Sequence, residues 1–386
     1  MRLLLYSHFF APSVGGVETI VASLAAGLAE LRTAAGAAEF ELTLATQTPA
    51  GDFDDTSLPF RVARQPGAME LRRLIRSSDV VHVAGPAILP LALALLGSKP
   101  VVVEHHGFQT ICPNGQLLIE PSGSPCPGHF MAGRHRECWR CNSRQGWLRS
   151  RKLWLLTFVR RLLCRYAAAN VTPTKWLGSL LELPRVEPIA HGLVALPPRV
   201  RVPTPASPVF VFLGRLVTTK GVRLLVDAAT LLAKKQRSFG LVIIGDGPER
   251  ASLEQFVRGS VLASQVRFTG RLRGADLEAA LATASAVVVP SLGGEVFGLV
   301  VAENMQRGLP VVASDLGAFV EVLGDCGVTF RTGDAGALAE ALDVLLNDPQ
   351  RAQSLGEGAA RRAGQLYSLS AMINAHGALY RRIARR

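Results

Sequence analysis

Short runs of aliphatic and β-branched residues alternate along the chain with stretches of helical length. Arg2 to Tyr6, Phe40 to Ala45, Val80 to Val83, Val101 to Glu104 and Asn170 to Thr172 read as strands buried on both faces. Val17 to Leu31, Pro86 to Leu96 and Leu153 to Tyr166 have the length and spacing of helices. After Gly192 the periodicity lapses, and Pro197, Pro198, Pro203, Pro205 and Pro208 mark a stiff connection. The alternation then restarts with strands at Val209 to Leu213, Leu241 to Ile244, Val266 to Thr269, Ala286 to Val289 and Val311 to Ala313. Strand and helix taking turns in this way predict doubly wound parallel sheets. The fold class is therefore α/β, with two Rossmann-like domains at 1–195 and 196–368 and a cleft between them. An insertion at about 108–145 interrupts the first domain, and a helical tail at 369–386 is expected to pack back toward it.

A chain of 386 residues that is 48% hydrophobic and 19% charged has material for two cores, which excludes disordered and fibrous classes. The 42 basic against 30 acidic residues leave a net charge of +12, which favours anionic partners such as phosphates or lipid headgroups. Its longest apolar run, Pro86 to Leu96, is far short of the roughly 20 residues that cross a bilayer. Leu3 to Leu5 is too short for a secretory core, so a cytoplasmic protein is expected. Nucleic acid is not an expected partner, because aromatic residues are only 6% and no recognised binding module is present.

The chemistry gathers at strand ends. Gly214-Arg215-Leu216 closes one strand and Thr219-Lys220-Gly221 opens a helix, so Arg215 and Lys220 sit at the carboxyl edge where doubly wound sheets bind ligands. A guanidinium grips phosphate oxygens bidentately and an ammonium adds a point charge, a combination suited to a diphosphate. Pro290-Ser291 ends another strand, a glycine loop carries Glu295, and a helix opens at Gly298-Leu299 with Glu303 on its first turns. Helix amides near Gly298 and Leu299 favour an anion, and each carboxylate can accept two hydrogen bonds from a vicinal diol. Two diols and a diphosphate describe a nucleotide sugar. Gly245-Asp246-Gly247 lacks the glycine spacing of a dehydrogenase fingerprint, so no NAD site is read there.

These residues, with Gly245-Asp246-Gly247-Pro248 and Gly308-Leu309-Pro310-Val311-Val312, resemble the retaining glycosyltransferases of family 4, whose fold is GT-B. The resemblance implies that Arg215 and Lys220 bind the donor diphosphate, Glu295 the donor sugar and Glu303 the ribose. Ala11-Pro12-Ser13-Val14-Gly15-Gly16 looks like the family's opening glycine loop, which places Gly15 and Gly16 toward the donor phosphates. Glu104-His105-His106-Gly107 resembles the strand-end histidine motif, with His106 the better match and His105 still open. The chain departs from the family at Glu303-Asn304-Met305-Gln306 and at Leu316-Gly317-Ala318, which bears on the fit of the donor sugar.

The implied activity is transfer from a nucleotide sugar, a UDP- or GDP-sugar, to a glycan, lipid-linked or small-molecule acceptor with retained anomeric configuration. No catalytic cofactor is implied. A sugar-nucleotide epimerase on the same architecture is the alternative, and it would need no acceptor. Asp52-Phe53-Asp54 has metal-binding spacing but sits among Pro49, Gly51 and Thr56, and reads as loop.

Two features lie outside that core. Arg134 to Arg165 holds ten basic residues and one acid, and Leu155, Leu156, Val159, Leu162 and Leu163 fall on one helical face expected to cover the sheet. Arg160, Arg161 and Arg165 lie off that face, where they suit an anionic membrane or a lipid diphosphate, at the inner face of the membrane, as well as a solvated surface. Cys112, Cys126, Cys138 and Cys141 lie within thirty residues of a glycine- and proline-rich segment with little to bury. A structural zinc on those four thiolates, with His129 or His135 able to replace one, is the expected staple, against thiols without metal or a disulfide.

Overall fold

The computed structural model describes residues 1–120, 122–196 and 207–385. Pro197, Pro198, Pro203 and Pro205 of the expected connection lie outside the described residues, as do Pro121 and Arg386. The chain divides into two compact units, one of Met1–Gln116, Gly128–Val194 and Tyr367–Arg386, the other of Leu117–Pro127 and Ala195–Leu366.

In the first unit, strands β1 (Arg2–Ser7), β2 (Glu41–Thr46), β3 (Arg61–Arg64), β4 (Val80–Ala84) and β5 (Val101–Glu104) precede the insertion, where β6 (Leu118–Ile119) and β7 (Ser124–Pro125) pair as a short antiparallel hairpin assigned to the second unit. Beyond it come β8 (Ala169–Thr172) and β9 (Val186–Pro188). The seven-stranded sheet has the order β3-β2-β1-β4-β5-β8-β9, and all its pairings are parallel. Strands β4 and β5 are buried along their whole length, as expected of valine-rich runs covered on both faces. The register sets His82 beside Val102 and Ala84 beside Glu104.

The chain returns to this unit at its end. Leu193 N–H donates to Tyr367 O at 2.8 Å, Ser368 caps the helix Leu369–Ala384 by accepting from Ala371 N–H, and that helix packs on Gly16–Glu30. Tyr380 is fully buried, edge-on to Phe40 at 6.0 Å.

The second unit contains β10 (Val209–Leu213), β11 (Gly240–Ile244), β12 (Val266–Gly270), β13 (Ala286–Val289), β14 (Val311–Ser314) and β15 (Val328–Phe330), all parallel, in the order β12-β11-β10-β13-β14-β15. Counted from its own first strand this is 3-2-1-4-5-6, the doubly wound order whose switch point lies between β10 and β13. Its core is apolar side chains of those strands and of the helices Val222–Lys234 and Ala335–Asn347.

The helix expected at Leu153 to Tyr166 begins earlier and spans Trp147–Arg165. Its buried positions are Ser150, Thr157 and Cys164, and the predicted apolar face is split, with Leu156, Val159 and Leu163 half-buried and Leu155 and Leu162 exposed. Arg161 does not stand free either, because its guanidinium donates to Leu181 O at 2.6 Å and satisfies a carbonyl at the end of the next helix.

Candidate functional site

The glycine turn after β10 is fixed by backbone hydrogen bonds, with Gly214 N–H donating to Ile244 O at 3.0 Å and Leu216 N–H to Asp246 O at 3.0 Å. Arg215 is thereby carried to the exposed end of the strand. Lys220 ends the turn Thr218–Lys220, and Gly221 follows at φ +66° with its Cα so close to Pro290 that an added Cβ would sit 1.9 Å from the Pro290 carbonyl oxygen. Only glycine fits there, and that contact lays Lys220 against the loop after β13. Leu292 N–H donates to Thr219 O at 2.8 Å, and Ser314 Oγ from β14 holds the same loop by donating to Ser291 O at 2.6 Å.

Within this frame Lys220 Nζ donates to Glu295 Oε1 at 2.5 Å, and Ser291 Oγ donates to the same oxygen at 3.0 Å. The helix Leu299–Gln306 starts at Gly298, whose φ of +93° and approach to Phe319, 2.5 Å from an added Cβ, again require glycine. Glu303 lies on this helix, and burial first of all pushes its carboxyl above the ordinary range, with the Glu278 charge adding to the rise and Arg307 opposing it. Arg307 itself is clamped on Glu278 at 2.8 Å. Asn304, where the sequence departs from the family, is buried and donates back to Val300 O at 2.7 Å, inside its own helix. The second unit thus brings Arg215, Lys220, Glu295, Gly298, Leu299 and Glu303 to the carboxyl ends of β10 and β13, at the switch point.

In the first unit Gly15 is the extended N-cap of the helix that opens with Gly16, and Glu18 lies in its first turn. His106 follows β5 and is 6% exposed, its Nε2 3.5 Å from Glu104 Oε2 and its ring stacked on His191 at 5.3 Å. His105 is fully buried with Nε2 3.0 Å from Asn170 Oδ1, and burial pushes it down to about 4, so it is a core residue and His106 is the less deeply buried member of the pair. Sequence reasoning missed what surrounds Glu104: His82, His191 and His376, distant in sequence, all face that one buried carboxylate at 3.1, 3.7 and 3.9 Å. Burial alone would raise the Glu104 carboxyl, but the imidazoles around it, His106 first, hold it well below the usual range. Burial drives His191 down to about 3.

The expected four-cysteine zinc site is not supported. Among the described residues, the groups of three or more metal-ligating side chains with ligand atoms within 4.8 Å of one another are His82–Glu104–His376 and Glu104–His106–His191, and neither contains a cysteine. Cys112 Sγ instead lies 3.0 Å from Asn114 Oδ1. The insertion has a different staple, an aromatic cluster in which Trp154 meets His135 at 5.5 Å, Trp139 at 5.7 Å and Phe158 at 4.9 Å, while Phe130 meets Phe158 at 4.7 Å. Asp54 accepts from Thr56 N–H and caps a short turn, as a loop residue does.

Residues 207–348 match the family described as Glycosyl transferases group 1. Over 181 residues the chain is 32% identical to an α-D-kanosaminyltransferase of Streptomyces kanamyceticus, covering 46% of each, and over 152 residues it is 40% identical to a phosphatidyl-myo-inositol mannosyltransferase of Mycobacterium leprae, covering 38% of this chain and 40% of that one. The chain spans about half the length of the curated relatives it matches, or less. The solved structure of sucrose-phosphate synthase from Thermosynechococcus elongatus superposes with a TM-score of 0.72 at 19% identity, covering 99% of this chain and 98% of the other. Anabaena HepE in complex with UDP and glucose gives 0.71 at 17% identity, covering 98% and 99%. The two-domain α/β fold expected from the sequence is shown, and the expected resemblance is matched as far as the group 1 glycosyl transferases over residues 207–348.

Proposed function

We propose that this chain, whose residues 207–348 match the group 1 glycosyl transferases, moves a sugar from a UDP- or GDP-sugar to a glycan, lipid-linked or small-molecule acceptor with retention at the anomeric carbon. The observation that carries the reading is the contact of Lys220 with Glu295 on the loops that follow β10 and β13, next to a helix start at the switch point of the second sheet, where doubly wound folds take nucleotides. Arg215 and Lys220, with the amides at Leu299, neutralise the charge that develops on the leaving diphosphate, the largest stabilising term for such a reaction. Glu303 accepts hydrogen bonds from the ribose hydroxyls and Glu295 from those of the sugar. His106 is assigned near the reacting sugar by the family resemblance, and its lesser burial supports that role over His105. UDP and UDP-glucose in the Anabaena HepE structures make UDP the first nucleotide to test.

Membrane contact belongs to the same reading. No helix among the described residues is long and apolar enough to cross a membrane, but Trp147, Leu148, Leu155, Phe158 and Leu162 are exposed on one basic helix. Apolar side chains interleaved with Arg149, Arg151 and Lys152 suit the headgroup region of an anionic bilayer, where a lipid-linked acceptor would be met. A panel of nucleotide sugars titrated calorimetrically tests the proposal, and acceptor screening with the tightest donor follows. Saturable binding that Arg215→Ala weakens supports it, and binding indifferent to that change counts against it.

A further inference from the structure

Glu104 is wholly buried at the end of a strand whose other three residues are valines, a placement that costs several kcal/mol unless a positive partner answers the charge. His82 from β4 and His376 from the terminal helix, both wholly buried, point their Nε2 atoms at its Oε2 from 3.1 and 3.9 Å. The His82 contact is of hydrogen-bond length, whereas His376 Nε2 is too far to donate to the carboxylate. The far side of each ring bears on what it can present. His376 Nδ1 is 2.9 Å from Met372 O, and a carbonyl can only accept, so Nδ1 carries the hydrogen and Nε2 presents a bare lone pair to the carboxylate. His82 Nδ1 meets the Tyr380 hydroxyl at 2.7 Å, a contact the hydroxyl can make as donor or as acceptor, so His82 Nε2 can turn either a hydrogen or a lone pair to Glu104. With a cation among the three side chains, both Nε2 atoms turn lone pairs to it and the Tyr380 hydroxyl accepts from His82 Nδ1.

We propose that His82, Glu104 and His376 bind a divalent first-row transition metal ion that clamps the terminal helix Leu369–Ala384 to strands β4 and β5. Ligand atoms at tetrahedral corners with metal bonds of roughly 2.0–2.1 Å stand about 3.3 Å apart, and the observed 3.1 and 3.9 Å bracket that spacing. Two imidazoles and a carboxylate suit zinc, iron, nickel or cobalt; the hard cations magnesium and calcium prefer all-oxygen shells. Both histidines are oriented by a group behind them, Met372 O and Tyr380 OH, in the manner of metal-binding histidines. The site lies within the first unit; His106, assigned near the reacting sugar, stands 3.5 Å from the same Glu104 oxygen, so metal binding is read by content and Tm and not by activity.

The full-length protein, purified without chelator, is expected to carry about one transition-metal ion per chain by elemental analysis. Chelator-stripped wild type titrated with Co(II) should take up one equivalent with visible d–d absorption and no thiolate charge-transfer band, and Zn(II) should raise its Tm. His376→Ala and His82→Ala should lose the equivalent, and Cys138→Ser should keep it. Should the histidine variants not fold, the wild-type titration decides. Stripped wild type that binds no cobalt and whose Tm zinc leaves unmoved overturns the proposal, and so does a thiolate band that disappears with Cys138→Ser.

Discussion

Lys220 Nζ lies 2.5 Å from Glu295 Oε1, so two residues assigned to different parts of one donor neutralise each other directly. A diphosphate that reaches Lys220 shares the ammonium with this carboxylate. Glu295→Gln is therefore expected to bind free nucleoside diphosphate more tightly, by about fivefold for a partly exposed pair worth about 1 kcal/mol, while turnover falls. Calorimetry on the variant checks it. Diphosphate binding that weakens in step with turnover would show that Glu295 touches the nucleotide itself.

Arg215→Ala and Lys220→Ala should each cost about 2–4 kcal/mol in kcat/KM, the size seen when one donor facing developing negative charge is removed. Steady-state kinetics with the tightest donor decides, and values within about threefold of wild type for both would remove the diphosphate assignment.

The Glu303 carboxyl titrates above its ordinary 4.5, chiefly because burial disfavours the charged form. Its unfolded counterpart ionises first, so the stability contributed by the protonated form is complete below pH 4.5 and is lost as pH rises through the folded value. Glu303→Gln should consequently melt higher than wild type at neutral pH and converge with it in acid, yet bind nucleoside diphosphate more weakly because the ribose loses a charged acceptor. Thermal melts across pH and calorimetry provide the two readings. A variant equal to wild type in both would leave Glu303 without either role.

Much of this was legible in the chain. Val101–Glu104, Val209–Leu213 and Ala286–Val289 begin and end where their apolar runs do, because strands covered on both faces leave a continuous hydrophobic record. Arg61–Arg64, Val186–Pro188 and Val328–Phe330 left none: all three are short edge strands, and the first two carry charges or a proline. The helix Trp147–Arg165 misled because Leu155 and Leu162 keep helical spacing while Thr157 and Cys164 face inward. The donor-side residues were readable because they are close in sequence. His82, His191 and His376 were not, since each stands alone in the chain and only the sheet order and the returning helix gather them. One signal was available, a glutamate closing the all-valine run of β5, which needs a partner of opposite charge.

Trp154→Ala should destabilise the insertion by ~2 kcal/mol, less than a full core truncation because the ring is partly exposed. Amide exchange confined to residues 128–158 should quicken, whereas Cys138→Ser should leave it slow. The reverse pattern would mean that the thiols and not the aromatic cluster hold the segment.

Charging the exposed apolar row with Leu155→Glu and Leu162→Glu should abolish binding to phosphatidylglycerol vesicles with little change in Tm, because neither side chain is buried. Co-sedimentation measures this. Undiminished vesicle binding would move the membrane contact elsewhere.

Sugar transfer with retention is tested most directly by proton NMR of the reaction with an α-linked nucleotide sugar and its acceptor. The account predicts that the donor's anomeric signal gives way to that of an α-linked product, with its small coupling to the neighbouring proton, and that this happens only when acceptor is present. A β-linked product, or a changed nucleotide sugar formed without acceptor, would contradict it.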